Sequence, residues 1–579
     1  MNLERLLALY EQVADAPDAV ARLRRFVLDL AVRGKLVAQD ASDEPASELL
    51  KRIAAEKARL VKAGEIRKPR DLANGESLEL PFDIPASWRW CRLDAVGAII
   101  GGGTPSAGKH ENFAGPGKGI PWLTPADLGK YRDLFIKRGS RDLTEKGLST
   151  SSATLMPAGT VLFTSRAPIG YVAIAANLIS TNQGFKSIVP YVLDCSRFVA
   201  LAMQTFAPEI DARAPGTTFK EVSGKIVAGV PFPLPPLAEQ RRIVAKVEEL
   251  MALLDRLEAA RNAREAARDR LTAASLAHLT VPDIDPAEFP ANARFVLDKL
   301  PELTARTEQI KSIRQTILNL AVRGKLVEQD PTDEPASELL NRIAAERMGI
   351  AKKTGAKLKK PITRDVKFAE VALPNGWVWS QFDELAWKIT DGDHQTPKRE
   401  VRGRYLLSAR NVLDGQIDVS NVDFVGEAEF QRMRSRCDPD RYDILISCSG
   451  SVGRVAIVDK DNAYVLVRSA ALVKLAFGKE LSGYIQKVLL SDILKEQIGV
   501  RSKAAAQPNL FLGQIRQLML PLPPLAEQHR IVAKVDALMA LCDRLEAAIA
   551  EADTARTQLL EALLHEALAE PNARLEAAE

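Results

Sequence analysis

The stretch PLPPLAEQRRIVAKVEELMALLDRLEAA runs from Pro233 to Ala260 and returns, almost unchanged, as PLPPLAEQHRIVAKVDALMALCDRLEAA from Pro521 to Ala548. Pro235 and Pro236 suit the first turn of a helix, where a missing N–H costs no hydrogen bond, and Glu239 then meets the positive end of the helix dipole. Ile243, Val247, Leu250, Leu254 and Leu257 follow at steps of 4, 3, 4 and 3. That spacing is the a/d seam of a coiled coil and not the alternation of a strand. The second copy keeps the seam with Ile531, Val535, Leu538, Cys542, Leu545 and Ile549, and Leu559 and Leu563 fall on it again. The chain must therefore hold two long amphipathic helices, each in need of an apolar partner.

A second repeat supplies that partner. LAVRGKLVAQDASDEPASELLKRIAAEK, Leu30 to Lys57, returns as LAVRGKLVEQDPTDEPASELLNRIAAER, Leu320 to Arg347. Leu320 follows Leu30 by 290 positions and Pro521 follows Pro233 by 288, so two different markers give nearly one period. The chain is a tandem duplication of a unit of about 290 residues, too long a period for a solenoid. Each copy reads helix, variable middle, helix.

The expected order is an N-terminal helical region at 1–79, a mixed α/β domain at 80–232, a central helical region and linker at 233–365, a second α/β domain at 366–520 and a C-terminal helix at 521–579. Val20, Leu23, Val27 and Leu30 carry a helical pattern up to a break at Gly34, and a second helix starts after Pro45. Ala63 to Glu79 reads as a linker. Leu237 to Thr280 can run as one helix of about 66 Å. VPDIDPAEFP then breaks it, and Ile310, Ile313, Ile317 and Leu320 mark the next helix. The basic stretch from Lys352 to Arg364 reads as a tether into the second middle.

Both middles have the texture of short strands punctuated by Gly, Pro and Asn. In the first, Ala98–Ile100, Thr160–Thr164, Tyr171–Ala175 and Ser187–Val192 read as strands, with a helix at about Ser196–Phe206. In the second, Tyr405–Leu407, Ile444–Ser447, Val455–Val458, Tyr464–Val467 and Leu472–Leu475 match them, with one helix near Gly483–Glu496. FTSRAPIGYVAI, Phe163 to Ile174, aligns with ISCSGSVGRVAI, Ile446 to Ile457. The scaffold repeats while the loop residues differ.

Known catalytic patterns are not recognisable. Gly103 to His110 has the glycine and lysine spacing of a phosphate-binding loop, but His110 stands where a Ser or Thr must hold magnesium, and HENFAGPG is poor helix material. The five histidines form no metal-ligand pairs, and the five cysteines, Cys91, Cys195, Cys437, Cys448 and Cys542, have no CxxC spacing and read as small buried thiols. No metal site is expected. An NPPY-type tetrapeptide for holding a flipped adenine is missing too. No apolar run approaches the length of a membrane span, and MNLERLLALYEQVADAPD carries acids where a secretory signal would not, so a cytoplasmic protein is expected. The net charge of +4 leaves any basic surface local.

What the turns offer is polar readers. The first middle presents Thr104, Ser106, Lys109, His110, Asn112, Lys118, Thr164, Ser165, Arg166, Asn182, Gln183, Thr217, Thr218 and Lys220. The second presents His394, Gln395, Thr396, Lys398, Arg399, Arg402, Arg404, Arg410, Asn411, Ser447, Ser449, Arg454, Arg468, Gln507 and Asn509. Arg can grip guanine, Asn and Gln can grip adenine, and Lys, Ser and Thr favour phosphates. Two diverged loop sets on one duplicated frame suit two different DNA half-sites at a fixed separation.

PLPPLAEQRRIVAKV and PLPPLAEQHRIVAKV, LAVRGKLVEQDPTDEPASELLNRIAAE, and GGTPS followed by IPWLTPADL closely resemble the specificity subunit of type I restriction-modification systems over nearly the whole chain. The resemblance implies two α/β target-recognition domains separated by long helices that pair as an antiparallel coiled coil, with an internal pseudo-twofold repeat. It implies a non-catalytic subunit that reads a bipartite asymmetric sequence in double-stranded DNA. Two DNA-methyltransferase subunits that bind S-adenosylmethionine would dock on the helices, and ATP- and Mg-dependent restriction/translocase subunits would join them. The chain itself would then carry no cofactor and meet no membrane. The helical segment before the first recognition domain departs from the many members that begin almost directly with that domain.

Overall fold

The computed structural model describes residues 15–66, 80–166, 168–215, 220–280, 289–299, 303–355, 372–502 and 509–568. In chain order the first half runs α1 (Ala19–Val32), α2 (Ala46–Lys62), β1 (Arg89–Arg92), β2 (Gly97–Gly101), β3 (Phe113–Ala114), β4 (Ile120–Leu123), β5 (Phe135–Ile136), β6 (Arg141–Leu143), β7 (Val161–Phe163), β8 (Val172–Ala175), β9 (Ser180–Thr181), β10 (Lys186–Pro190), α3 (Ser196–Ala212), β11 (Pro231–Leu234) and α4 (Leu237–Thr280). The second half runs α5 (Phe289–Asp298), α6 (Thr307–Ala321), α7 (Ala336–Thr354), β12 (Val378–Gln381), β13 (Ala386–Asp391), β14 (Arg399–Glu400), β15 (Arg404–Leu407), β16 (Val412–Leu413), β17 (Gln416–Ile417), β18 (Asp423–Val425), β19 (Ile444–Ser447), β20 (Val455–Ile457), β21 (Tyr464–Leu466), β22 (Ala470–Leu475), α8 (Gly478–Leu489), α9 (Asp492–Ser502), β23 (Met519–Leu522) and α10 (Leu525–Leu568). Contacts group the chain into one unit of residues 1–262 with 553–579 and another of 263–552. Each unit thus takes an early helix, a sheet module and parts of both long helices.

Apart from β5, which the second module does not match, the two modules share one topology although their sequences barely match. The first has a sheet of order β2-β10-β7-β8-β5 and another of order β3-β6-β4-β9; the second has β13-β22-β19-β20 and β14-β18-β15-β21. In each, one pair in the second sheet is parallel, Trp122 beside Ser180 in one and Tyr405 beside Tyr464 in the other. A short antiparallel ribbon closes each module where the chain enters and leaves it, β1 with β11 and β12 with β23.

Helix packing in the first unit is set by α1. Arg24 bridges Asp255 at 2.5 Å and Glu258 at 2.8 Å on α4, and Arg261 donates to the carbonyl of Ala16. On α10, Ala16 and Ala19 pack with Leu560 and Leu563, and Arg22 pairs with Glu561 at 2.5 Å. Following the chain through α1, the partners on α4 fall at lower residue numbers and those on α10 at higher ones. Within this unit α4 and α10 therefore run antiparallel. Helix α1 is the partner of the first seam, and Ile243, Val247 and Leu254 are buried in the resulting core.

The second unit repeats the device. Arg314 of α6 bridges Asp543 at 2.7 Å and Glu546 at 3.0 Å on α10, each residue the duplicate of its counterpart above. Ile531, Val535 and Cys542 are buried there. Arg306 meets Asp269 of α4, and Leu276 and Leu279 pack with Leu303 and Leu320.

The two repeated motifs turn out to be halves of one joint. Trp88 donates its indole N–H to Glu239 at 2.9 Å, and Gln39 donates to the other oxygen at 2.6 Å. Arg242 then pairs with Asp43 at 2.6 Å. In the second copy Trp377 donates to Glu527 at 2.9 Å, Gln329 reaches the same carboxylate, and Arg530 pairs with Asp333 at 2.7 Å. Gly34 and Gly324 end the early helices at φ 69° and 67°, and a Cβ at either would lie within 2.5 Å of Pro85 or Pro374. Glycine is demanded twice over, by the left-handed backbone and by the proline against it.

Burial pushes the carboxyl of Glu239 up, against the hydrogen bonds from Trp88 and Gln39. A carboxyl raised in the folded state contributes its stability below the unfolded value and loses it as pH rises through the folded one. The advantage in melting temperature of the wild type over Glu239→Gln should therefore be largest in acid and shrink toward neutral pH. A gap that widens with rising pH would contradict this assignment.

Two sequence expectations need correction. The helix read near Gly483–Glu496 is two helices, α8 and α9, because Asn319 accepts the N–H of Asp492 at 3.0 Å and caps a new start there. The VPDIDPAEFP break is followed by α5, with Pro290 in its first turn, where proline costs no hydrogen bond. The core of that break, with the linker residues 67–79 and most of the basic tether, lies outside the described residues. All five cysteines are free and buried, and burial pushes Cys91, Cys437 and Cys448 up to about 12. Among the described residues no helix is long and apolar enough to cross a membrane.

Candidate nucleic-acid interface

At one edge of each module the same loops converge, and main-chain hydrogen bonds hold them together. In the first module Gly103 donates to Thr181, Ser165 to Gly184 and Val222 to Ser165, all at 2.8 to 2.9 Å. In the second, Asp393 donates to Leu466, Cys448 to Ser469 and Leu510 to Cys448, again at 2.8 to 2.9 Å. The aligned FTSRAPIGYVAI and ISCSGSVGRVAI form one loop in two copies. Thr164 donates its hydroxyl to the carbonyl of Pro168 and accepts from the N–H of Tyr171; Ser447 does the same with Ser451 and Arg454. Gly170 and Gly453 turn it at φ 100° and 86°. Arg166 therefore corresponds to Ser449, and Arg454 to Tyr171.

This geometry sorts the expected readers. Thr104, Ser165, Arg166, Asn182 and Gln183 gather on the first cluster, and Thr104 donates to Gln183. Ser106, Lys109 and His110 are exposed on the segment leading away from it. After Lys109 the chain makes a three-residue turn, His110–Asn112, and enters β3, so no helix N-terminus follows the glycine-rich stretch. Lys118 stands apart on the loop that leads into β4, whereas the converging loops follow β2, β7 and β9. Lys220 is held by Asp211 at 3.2 Å. Thr217, Thr218 and Gln507 lie outside the described residues.

On the second cluster sit His394, Gln395, Ser449, Arg468 and Asn509, with Arg454 at the end of the shared loop. His394 contacts Asp391 at 2.7 Å. Burial raises the Asp391 carboxyl, but hydrogen bonds from Arg436 and His394 outweigh it and hold it below the ordinary carboxylate range. Arg410 and Arg399 share Asp423, at 2.9 and 3.2 Å. Arg404 pairs with Glu427 at 2.9 Å and lies over the Phe430 ring. Thr396, Lys398 and Arg402 are exposed; Arg402 lies on the β14–β15 crossover, the counterpart of the Lys118 loop.

Five expected readers are corrected to structural roles. Thr164 and Ser447 are buried loop closures, and Ser165 is equally buried, its main chain bonded to Gly184 and Val222. Asn411 is buried and caps its turn, accepting from Ser408 and donating to Asp418 and Asn421, as Asp127 accepts from Thr124 in the first module. Asn112 is 2% exposed and donates to Ser106. Residue type could not separate these from readers, because Thr, Ser and Asn close turns with the same atoms that read bases.

Sequence reasoning missed Lys186 and Glu221. Lys186 lies in β10, where its Nζ is 3.4 Å from both Ser165 and Glu221. The available signal was one cation opening the strand-like run KSIVP.

Gly102 and Gly392 seat the first loop of each cluster. A Cβ on Gly102 would fall 2.1 Å from the carbonyl of Asn182, and one on Gly392 2.2 Å from that of Leu466. Backbone must move in either case, so Gly102→Ala should abolish the function of the first cluster and Gly392→Ala that of the second, each leaving the other intact. Sequence preference measured separately for the two halves of a bound duplex checks this; equal loss in both halves from one substitution would contradict it.

Residues 85–264 and 401–552 match the family described as the type I restriction modification DNA specificity domain. The specificity subunit of the type I restriction enzyme EcoAI of Escherichia coli is 29% identical over 95% of this chain and 94% of its own length. The EcoEI specificity subunit of Escherichia coli is 27% identical over 95% and 94%. The solved HsdS subunit of Thermoanaerobacter tengcongensis has a TM-score of 0.40 at 20% identity, covering 84% of this chain and 98% of that one. With the family match spanning more than half of the chain and reaching into both modules, the chain belongs to the type I restriction-modification specificity family.

Proposed function

We propose that this chain is the DNA-reading subunit of a type I restriction-modification enzyme, with the first module reading one half and the second the other half of a bipartite, asymmetric site. The observation that carries this reading is the pair of loop clusters, built on one hydrogen-bonded frame yet carrying different side chains. A frame kept while its tips diverge is what two different half-sites require. The near-identical helical repeats fit two copies of one partner, and the partners in this reading are methyltransferase subunits, with restriction/translocase subunits joining them. The chain's own part is non-catalytic: S-adenosylmethionine, ATP and Mg belong to the chemistry of those partners.

Binding of short duplexes by the chain assembled with methyltransferase subunits tests the reading. Log affinity should fall linearly with log salt, by about 0.9 for each phosphate neutralised, and one sequence should bind at least about 10³-fold more tightly than the rest. Equal affinity for every duplex, or no retention of DNA by the assembled complex, would leave a protein-binding scaffold instead.

A further inference from the structure

We infer that one place on the duplicated frame selects a base pair in each half-site: Arg166 with Glu221 in the first module, matched to a G·C pair, and Ser449 with Asn509 in the second, matched to an A·T pair. This deepens the proposed function and rests on it. The equivalence is geometric. Ser165 and Cys448 make the same two main-chain hydrogen bonds, donating to Gly184 and Ser469 and accepting from Val222 and Leu510. Arg166 and Ser449 are the next residues along, and Glu221 and Asn509 immediately precede the two donors. Ser449 and Asn509 form an antiparallel bridge, and Arg166 Nη1 lies 3.7 Å from Glu221 Oε2. The strands agree as well: Ile188 pairs with Val161 as Val473 pairs with Ile444, which makes Ala471 the counterpart of Lys186. Lys186 Nζ lies 3.4 Å from Glu221 Oε1, whereas Ala471 is fully buried.

Charge and exposure separate this group from an ion pair that merely holds the fold. Arg516 and Asp383 show the latter kind, bidentate at 2.7 and 2.8 Å with side chains 11% and 13% exposed. Arg166 and Glu221 meet loosely and are 35% and 46% exposed. A carboxylate can only accept, and phosphates repel it, so the DNA groups it can meet are base amino groups. The guanidinium fork needs two neighbouring acceptors, and among the bases guanine O6 and N7 offer them. A G·C pair presents those acceptors beside the cytosine N4 donor, the complement of Arg166 beside Glu221. In the second module the same place holds an amide, which donates and accepts at once and fits adenine N6 and N7, with a hydroxyl that adapts to either.

The test exchanges the pair. The full chain carrying Arg166→Ser and Glu221→Asn is assembled with methyltransferase subunits, and its methylated sites are mapped beside those of the wild type. One base pair of the first half-site should change from G·C to A·T, with the wild-type preference of roughly 5- to 150-fold lost there. The second half-site and the gap should be unchanged. An unchanged first half-site, or a uniform loss over all sequences, overturns the inference. Should the double variant not assemble, Glu221→Gln alone decides: relaxed choice at one base pair of the first half-site supports the inference, and an unaltered profile overturns it. A wild-type profile without two half-sites would instead sink the function proposal on which this rests.

Discussion

Replacing Trp88 with alanine should destabilise the first unit by about 3–5 kcal/mol and leave the second standing. Trp88 is 1% exposed, meets Phe198 edge to face and gives its N–H to Glu239, so its loss opens a cavity and strips a buried carboxylate of a donor. Trp377→Ala should do the reverse, since Trp377 stands against Tyr484 and Glu527 in the same way. Segment-resolved hydrogen exchange reads both outcomes. In the first variant protection should fall over β7, β8 and β10 and persist over β19, β20 and β22. Loss in both units from one substitution, or in neither, would mean that the joint is not what holds each module to its helices.

The second large effect concerns spacing. The chain passes between the two units twice, once within α4 and once within α10. If helix length sets the gap between half-sites, as the coiled-coil seam leads one to expect, both helices must lengthen together. Four residues inserted between Asn262 and Ala263 and four between Ala552 and Asp553 add about 6 Å and about 1.1 turns to each. The apolar faces stay nearly in phase. The half-sites should be unchanged while the gap grows by one or two base pairs, at about 3.4 Å each. An insertion in α4 alone should impair assembly instead, because α10 keeps its length. A doubly extended chain that assembles but methylates only at the original spacing would remove the ruler from the account.

How much of this could be read from the residues depends on the range of the interaction. The seams of α4 and α10 were legible because a coiled coil writes itself at steps of three and four within one segment. The boundaries Leu237 and Thr280 matched the expectation because prolines punctuate both ends of the segment. The joint was not legible: Trp88 and Glu239 are 151 positions apart, and nothing local in ASWRW or PLAEQ says that one donates to the other. What the sequence did carry was the repetition of both motifs, and the structure supplies its reason.

The candidate interface was legible in part. Arg166, Gln183, Arg468 and Asn509 fall on the convergent loops, because Arg, Asn and Gln on turns are the side chains that can reach base edges. Asn112, Thr164, Asn411 and Ser447 have the same chemistry and close turns instead. Glu221 carries the charge of the phosphates such a surface faces, so residue type alone points away from it. Lys186 lies in a strand, not in a turn. Only the register of β10 against β7 brings Lys186 to the loops.

Two modules on one frame are proposed to read two different half-sites. Mapping methylated adenines in a host genome, with this chain and its methyltransferase subunits present and then with the chain removed, tests it most directly. One bipartite asymmetric motif with a fixed gap should appear, vanish when the chain is removed, and lose its first half alone on Gly102→Ala. A motif that survives removal of the chain, or a single uninterrupted motif changed throughout by that substitution, would contradict it.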